Sequence, residues 1–238
     1  VSYERLDGVF DMEAAFERDP PAVVHDDVRD YEFATQGDPR YAERGHVDDH
    51  DSDRPNLLYK DSHETEGVDT AFDEADHVVE ATYEVEPIQH CAMEPHVAIA
   101  HVDGDALSIE TSHQVPHNVD KKLRRLFPEL DRSRVRVRAP YVGGGFGGKI
   151  TAYFEALLVT VAREVSRPVR LQFDRAEEFT TGVSRPQVIT RVKDGVTAAG
   201  DLVAREVDMK FNCGPYNEQV FRCTIGATDQ VYGSHDGP

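Results

Sequence analysis

The sequence predicts an α+β fold in which helices pack on a mixed β-sheet. Three observations support this class. Short runs of alternating apolar and polar residues indicate strands, and two amphipathic stretches indicate helices. The order of these elements departs from the strict strand–helix alternation of a doubly wound fold. The length of 238 residues allows one large domain or two small ones with a buried core.

The first 66 residues have the composition of a connecting segment. Residues 1–70 contain 20 acidic and 7 basic residues, and four prolines interrupt the first 55 positions. One short helix is predicted at residues 11–18, with Asp11 as its N-cap. We therefore expect an acidic extended linker at residues 1–66 and a folded domain at residues 67–238. Composition leaves disorder of the linker open as the alternative.

Seven strands are predicted in the folded domain. In these stretches β-branched and aromatic residues recur, and Asp103-Gly104 and Asp194-Gly195 supply turn signals. After one or two helical turns at residues 69–75, the predicted strands are residues 77–85, 97–102, 106–110, 134–138, 168–173, 187–192 and 202–211.

Two helices are predicted between these strands. In residues 116–127, Val119 and Leu123 lie on one helix face and four basic residues lie largely outside it. Residues 150–165 show the same periodicity over a longer apolar stripe that includes Phe154 and Leu158.

The most informative segment is a glycine-rich loop, VGGGFGGKI, at residues 142–150. Five glycines flank one phenylalanine between a predicted strand and a predicted helix. Glycine allows positive φ angles and lets another molecule approach the main chain closely. Successive amide N–H groups near a helix N-terminus can bind an anion or the oxygen-rich part of a cofactor. A purely structural connection does not need five glycines.

Two common nucleotide-binding motifs match this loop weakly. Gly143, Gly145 and Gly148 satisfy the dinucleotide pattern G-x-G-x-x-G, with Asp174 as the acid for a ribose. However, the preceding strand alternates polar and apolar residues, unlike a central parallel strand. The phosphate-loop pattern G-x-x-x-x-G-K also fits, but Ile150 replaces the hydroxyl residue that binds magnesium.

The glycine loop is accompanied by a second motif, H-x-x-M-E-P, at residues 90–95. Together they resemble the large molybdenum-binding subunit of the xanthine dehydrogenase and aldehyde oxidase family. Other stretches are similar in order and spacing, and the resemblance covers nearly the whole chain. These stretches are VSYERL at the N-terminus, residues 67–85, TSHQVP at residues 111–116, residues 134–138 and RPVRLQFDRAEEF at residues 167–179.

The resemblance implies the first part of a molybdopterin-binding domain in a molybdenum hydroxylase. Such an oxidoreductase inserts a water-derived oxygen into a C–H bond of an aldehyde or heteroaromatic substrate. The implied cofactor is molybdopterin, with the cytosine dinucleotide form as one alternative. The implied partners are the remaining part of the molybdenum subunit and subunits that carry iron–sulfur clusters and FAD.

The resemblance also implies which residues contact the cofactor. In the family, the main chain around the loop phenylalanine lies against the molybdenum-bearing group, and a glutamine ahead of the loop lies near a molybdenum oxygen. No protein side chain is implied as a metal ligand. The implied cofactor-binding residues are Gln114, Gly144, Gly145, Phe146, Gly147 and Gly148.

Two departures from the family pattern limit the function that we expect. Ile150 replaces the glutamate that holds the purine in xanthine-oxidising members, which disfavours a purine substrate. The glutamate that acts as general base in the family has no match before Pro238, so no catalytic residue is assigned. We therefore expect a fragment or split subunit that is inactive alone. A non-catalytic remnant or assembly module, or a nucleotide-binding domain, are the alternatives.

Composition and charge indicate the environment in which the protein works, and they argue against nucleic-acid binding, cysteine-based sites and membrane spans. The net charge of −19 argues against broad binding of nucleic acid phosphates and favours a halophilic, cytoplasmic protein; an ordinary acidic surface is the alternative. Three cysteines without a CxxC pair predict neither an iron–sulfur cluster nor a disulfide framework. No apolar stretch approaches 18 residues, so no membrane span is expected.

Two further sets of polar residues carry no predicted chemistry. His90, Glu94 and His96 share strand parity, but a proline interrupts them and zinc spacing is not matched, so no metal site is predicted. We expect Glu94 to be buried and to accept backbone N–H groups. Glu177 and Glu178 are expected to be solvated positions of a helix.

Overall fold

The computed structural model describes residues 2, 4, 7–24, 53–57, 60, 62, 64–152, 154–212 and 214. Much of the predicted linker, including residues 25–52, therefore lies outside the described residues. The helices and strands are, in chain order, α1 (Met12–Ala15), α2 (Val68–Asp73), β1 (His77–Val85), β2 (Ile88–Gln89), β3 (Val97–Asp103), β4 (Ala106–Thr111), α3 (Pro116–Leu126), β5 (Val135–Arg138), α4 (Glu155–Val165), β6 (Val169–Gln172), α5 (Arg175–Thr180), β7 (Ser184–Arg185), β8 (Gln187–Val196) and β9 (Leu202–Asn212). Among the described helices, none has the length and apolar character needed to cross a bilayer.

The chain divides into two compact units. One combines Val1–Glu86 with Pro186–Pro238, and the other is Pro87–Arg185. In the first unit, β1, β8 and β9 form an antiparallel three-stranded sheet in the order β1-β8-β9. The strands predicted at residues 77–85, 187–192 and 202–211 are thus present, and the last two are longer than predicted.

Charged groups attach α1 to the sheet of the first unit. Asp11 caps the helix, as predicted, by accepting the N–H of the third residue after it at 3.0 Å. Glu13 accepts hydrogen bonds from Arg191 on β8 and Lys210 on β9, each at 3.0 Å. The hydrogen bond to Lys210 and the two positive charges lower the pKa of Glu13. The helix spans one turn, which is shorter than the predicted residues 11–18.

The second unit is built on a four-stranded sheet with the order β5-β4-β3-β6. β3 pairs antiparallel with both β4 and β6, whereas β5 pairs parallel with β4. The β3–β4 hairpin turns at Gly104, whose φ of +59° suits glycine. α3 supplies the crossover that a parallel pair requires. The predicted mixed sheet and α+β class are therefore confirmed.

The core of the second unit lies between this sheet and the helices α3 and α4. Inward-facing side chains alternate along β3 and β4, as expected for a sheet with one covered face. Each large apolar side chain buried there contributes about 1.5–3 kcal/mol. The most deeply buried apolar residues are Ala98, Ala100, Leu107, Ile109, Val119, Leu123, Leu158, Val159 and Ala162. This core fixes the segments from which the glycine loop projects.

α4 begins five residues later than its periodicity predicts, at Glu155 rather than at residue 150. The carbonyl of Ile150 accepts a hydrogen bond from Asn118 Nδ2 at 3.2 Å, and the carbonyl of Lys149 accepts one from the Gln114 N–H at 2.8 Å. Because Gln114, just before α3, and Asn118, in its first turn, use these carbonyls, they do not open a helix. The apolar stripe predicted over residues 150–165 is present, but its first residues lie in the connection before α4.

Candidate functional site

The glycine loop, residues 142–150, connects β5 to α4 and turns sharply at its centre. Phe146 has φ +53° and Gly147 has φ +99°. A positive φ is uncommon for a phenylalanine and marks local strain that the surroundings must hold. The Phe146 side chain is 74% exposed. The loop therefore presents its strained tip outward instead of packing it into the core.

Glu94 and Lys149 hold the two ends of the loop. The Glu94 carboxylate accepts the Gly143 N–H at 2.8 Å, and the Glu94 N–H donates to the Gly143 carbonyl at 3.1 Å. At the other end, Lys149 Nζ donates to the Glu94 carbonyl at 2.8 Å and to Glu94 Oε2 at 3.0 Å. Lys149 is only 1% exposed. The prediction that Glu94 accepts backbone N–H groups is confirmed, although its side chain is only partly buried.

The side chain of Gln114 is hydrogen-bonded to the same loop. Its Oε1 accepts the N–H groups of Gly147 at 2.9 Å and Lys149 at 3.2 Å. Because N–H groups point at Oε1, the side-chain amide has one orientation, with Nε2 turned away from these donors. Nε2 has no hydrogen-bond partner among the described residues. Gln114 is exposed, and its Nε2 is a donor that is held in a fixed orientation and is free to bind another group.

The main-chain N–H groups of the loop fall into two sets. Those of Gly143, Gly147 and Lys149 bind side-chain oxygens, and that of Gly148 donates to the Gly145 carbonyl at 2.8 Å. The three consecutive N–H groups of residues 144–146 have no acceptor within the described part of the chain. Gly145 is buried as a residue, Gly144 is partly exposed and Phe146 is exposed. Consecutive unpaired N–H groups are a recognised anion-binding arrangement.

Close approach explains two of the glycines. A Cβ on Gly145 would lie 2.5 Å from Gln114 Cδ, and a Cβ on Gly148 would lie 2.8 Å from His90 Nδ1. His90 Nδ1 in turn lies 3.1 Å from the Val183 carbonyl, to which it donates when it carries the proton. The side chains of Gln114 and His90 therefore lie directly against the loop backbone.

His113 precedes Gln114 and is buried. Its Nδ1 accepts the N–H of Val115 at 3.0 Å. Burial away from water lowers the pKa of His113 to about 4, with a smaller contribution from the nearby His96. A neutral imidazole is what the acceptor role of Nδ1 requires, and it holds the turn in which Gln114 lies.

The prediction made for Glu178 is wrong. This residue was expected to be a solvated helix position, but it is buried and its two oxygens lie 2.9 Å from His96 Nδ1. A single sequence gives no signal for this pairing, because the partners are 82 positions apart. Glu177 stays exposed and forms a capping box with Asp174 at the start of α5. Asp174, the acid of the dinucleotide pattern, is thus a helix cap.

The described residues contain no group of three or more side chains that could hold a metal ion. His90, Glu94 and His96 instead have separate partners: the Val183 carbonyl, Lys149 and Glu178. The donors that the site offers to an oxygen-bearing group are the N–H groups of residues 144–146 and Gln114 Nε2.

Consecutive unpaired backbone N–H groups on a glycine loop are an arrangement that can bind an anionic or oxo-bearing group. The family model described as molybdopterin cofactor-binding domain matches residues 49–236, and this chain belongs to that family. The family predicted from the sequence motifs is confirmed.

Curated relatives support the same family assignment. The chain is 31% identical over 226 residues to a probable hypoxanthine oxidase of Escherichia coli O157:H7, across 91% of this chain and 23% of that protein. It is 29% identical over 217 residues to the nicotinate dehydrogenase large molybdopterin subunit of Eubacterium barkeri, across 91% of this chain and 44% of that protein. The chain thus spans less than half the length of either relative.

Solved structures show the same fold. An aldehyde oxidoreductase of Desulfovibrio gigas matches 60% of this chain and 16% of its own, with 27% identity and a TM-score of 0.54. The Cu,Mo-CO dehydrogenase matches 87% of this chain and 25% of its own, with 22% identity and a TM-score of 0.70. At that identity the second likeness concerns the fold alone.

Proposed function

We propose that this chain supplies a molybdopterin-contacting surface of a molybdenum hydroxylase through its glycine loop and Gln114. The observation that carries the proposal is the set of three consecutive unpaired N–H groups at residues 144–146. Gln114 Nε2 adds a fourth donor attached to the same loop. Each hydrogen bond from these donors to a bound acceptor would contribute about 0.5–1.5 kcal/mol net of the water that it replaces.

The residues present fit such a cofactor in their donor chemistry. The phosphate, oxo and pterin groups of molybdopterin are rich in acceptors, and the loop offers donors. Gly145 and Gly148 leave room for the side chains of Gln114 and His90, and Gly147 provides the positive φ of the turn. Phe146 is largely exposed, and the edge of its ring lies close to Gly144, where an added Cβ would be 3.1 Å from Cε2.

The bound cofactor supplies the redox chemistry of hydroxylation, in which a water-derived oxygen is added to an aldehyde or heteroaromatic C–H and two electrons are released. The loop N–H groups bind and orient the cofactor and stabilise negative charge on its oxygens. Gln114 Nε2 donates a hydrogen bond from a fixed position. Iron–sulfur and FAD subunits would receive the electrons, and the remaining part of the molybdenum subunit would complete the site.

We also propose a high-salt cytoplasm as the setting of this protein. The net charge of −19 would repel itself in dilute buffer, and salt screens such repulsion.

The substitution Gln114→Glu tests the cofactor role most sharply. A carboxylate keeps acceptors for the Gly147 and Lys149 N–H groups but has no donor in place of Nε2. The variant should fold normally, yet the protein purified from its natural host should retain at least about tenfold less pterin and molybdenum. Pterin fluorescence after oxidation and metal analysis measure the two contents.

Gln172→Glu is the matched control, because Gln172 is an exposed glutamine on β6 of the same unit. This control should keep wild-type pterin and molybdenum. A wild-type protein that contains no pterin when it is purified from its natural host would overturn the proposal. So would a Gln114→Glu variant with full occupancy.

A further inference from the structure

A buried histidine and glutamate lie behind the glycine loop. His96 and Glu178 are each 6% exposed, and His96 Nδ1 lies 2.9 Å from both carboxylate oxygens. The backbone N–H of His96 also donates to Glu178 Oε1. The imidazole packs against Phe154 and Phe173, with ring centroids 5.8 and 5.6 Å away. The carboxylate therefore fixes both the main chain and the ring of His96.

The other ring nitrogen of His96 faces the glycine loop. Nε2 lies 3.2 Å from the Gly148 carbonyl oxygen. A carbonyl can only accept, so Nε2 must carry a proton for this hydrogen bond. On the opposite side, one further proton must lie between Nδ1 and the Glu178 carboxylate. These two protons can be held by an imidazolium beside a carboxylate or by a neutral Nε2–H imidazole beside a carboxylic acid, and in both forms Nε2 donates to the loop.

The carbonyl that His96 binds belongs to the peptide unit between Gly148 and Lys149. The N–H of this same peptide unit donates to Gln114 Oε1 at 3.2 Å. A peptide whose carbonyl accepts a hydrogen bond has a more polarised N–H, and successive bonds in a chain strengthen one another, by about 10–30% each. The chain of contacts runs from Glu178 through His96 and the peptide to Gln114.

We propose that Glu178 and His96 are positioning residues that act through the 148–149 peptide to fix and polarise the Gln114 amide. This inference rests on the proposed function of Gln114 and extends it to two residues in the interior. The relay holds one end of the unpaired 144–146 segment without contacting the cofactor. Glu178 lies on α5, and its carbonyl accepts a hydrogen bond from Gln89 Nε2 at 2.5 Å, so α5 is tied to β2. His96 also acts electrostatically on His113, whose pKa it helps to lower.

The experiment compares amide exchange in the full chain and in two variants. The double variant His96→Phe/Glu178→Leu removes both polar partners together and keeps a ring against Phe154 and Phe173, so it avoids a lone buried charge. Glu178→Gln is the conservative variant, because its amide can still accept the His96 N–H and donate to Nδ1. His101→Phe, on the exposed face of β3, is the matched control.

In the wild type, two-bond proton–nitrogen spectra should show a proton on His96 Nε2, and Glu178→Gln should preserve it. In the double variant, the Gly147 and Lys149 amides should exchange about tenfold faster, while amides of the buried strand β4 keep their wild-type rates. Glu178→Gln and His101→Phe should leave the loop amides unchanged.

An unprotonated Nε2 in the wild type would overturn the relay. Unchanged exchange of the Lys149 amide in the double variant would overturn it as well. These readouts need no cofactor. A natural-source protein without pterin would therefore refute the proposed function and leave the relay standing, whereas an unprotonated Nε2 would refute the relay whatever the pterin content.

Discussion

Glu94→Leu should destabilise the second unit far more than Glu94→Gln, because it leaves the buried Lys149 ammonium without its carboxylate. Lys149 is 1% exposed and has Glu94 Oε2 at 3.0 Å and the Glu94 carbonyl at 2.8 Å. Glutamine keeps an acceptor oxygen for the ammonium and for the Gly143 N–H. Leucine keeps only the backbone carbonyl.

The magnitude follows from the burial of the two partners. Removing one partner of a buried ion pair costs about 3–5 kcal/mol. The Glu94 side chain is 31% exposed and one carbonyl remains, so about 3 kcal/mol is expected for Glu94→Leu. The loss for Glu94→Gln should be about 1 kcal/mol. The double variant Glu94→Leu/Lys149→Met should recover about 2 kcal/mol relative to the sum of its single variants.

Urea unfolding followed by circular dichroism at a fixed, high KCl concentration gives the free energy of unfolding of each variant. Glu110→Leu is the control, because Glu110 forms an exposed pair with Arg138 at 3.4 Å, and its loss should cost about 1 kcal/mol or less. The reasoning is refuted if Glu94→Leu costs no more than Glu110→Leu. It is also refuted if the double variant loses the full sum of the single effects.

Three other outcomes follow from the charges and contacts described above. The melting temperature should rise as KCl increases from about 0.1 M to molar concentrations, because the Debye length shrinks from about 10 to 3 Å; a constant or falling melting temperature would argue against a halophilic protein. Native His113, with a pKa of about 4, stays neutral where the unfolded chain gains a proton, so stability should fall by up to about 3 kcal/mol from pH 6.5 to 4. His113→Asn should flatten that slope in urea titrations, and equal slopes in both proteins would contradict the assignment. Gly148→Ala should cost about 1–3 kcal/mol through contact with His90, and adding His90→Ala should restore most of the loss in the same assay.

The regular elements could be predicted because their signals are local. Strand β1 has the predicted bounds, and α3 ends within one residue of its prediction. The start of α4 could not be predicted, because distant groups on Gln114 and Asn118 use the carbonyls of Lys149 and Ile150. Helical periodicity describes which side chains are apolar, but it does not say which backbone groups are already bonded.

In the candidate site, too, some features follow from local sequence signals and others depend on distant contacts. The loop and its glycines could be named from the motif, since glycine-rich segments signal close backbone approach, whereas Gln114 was named only through the resemblance to the family. The unpaired state of the 144–146 N–H groups required the structure, because it depends on where each neighbouring acceptor points. Glu178 was assigned to solvent for the same reason: its partner His96 lies 82 positions away.

Hydrogen exchange at the amides of residues 144–146 tests the cofactor-binding role of the loop most directly. The protein would be purified from its natural host both with and without functional molybdopterin synthesis. These three amides should exchange much more slowly in the cofactor-loaded protein, while amides in the sheet of the first unit stay unchanged. Equal exchange at residues 144–146 in a protein shown to contain pterin would contradict the cofactor-binding role of the loop.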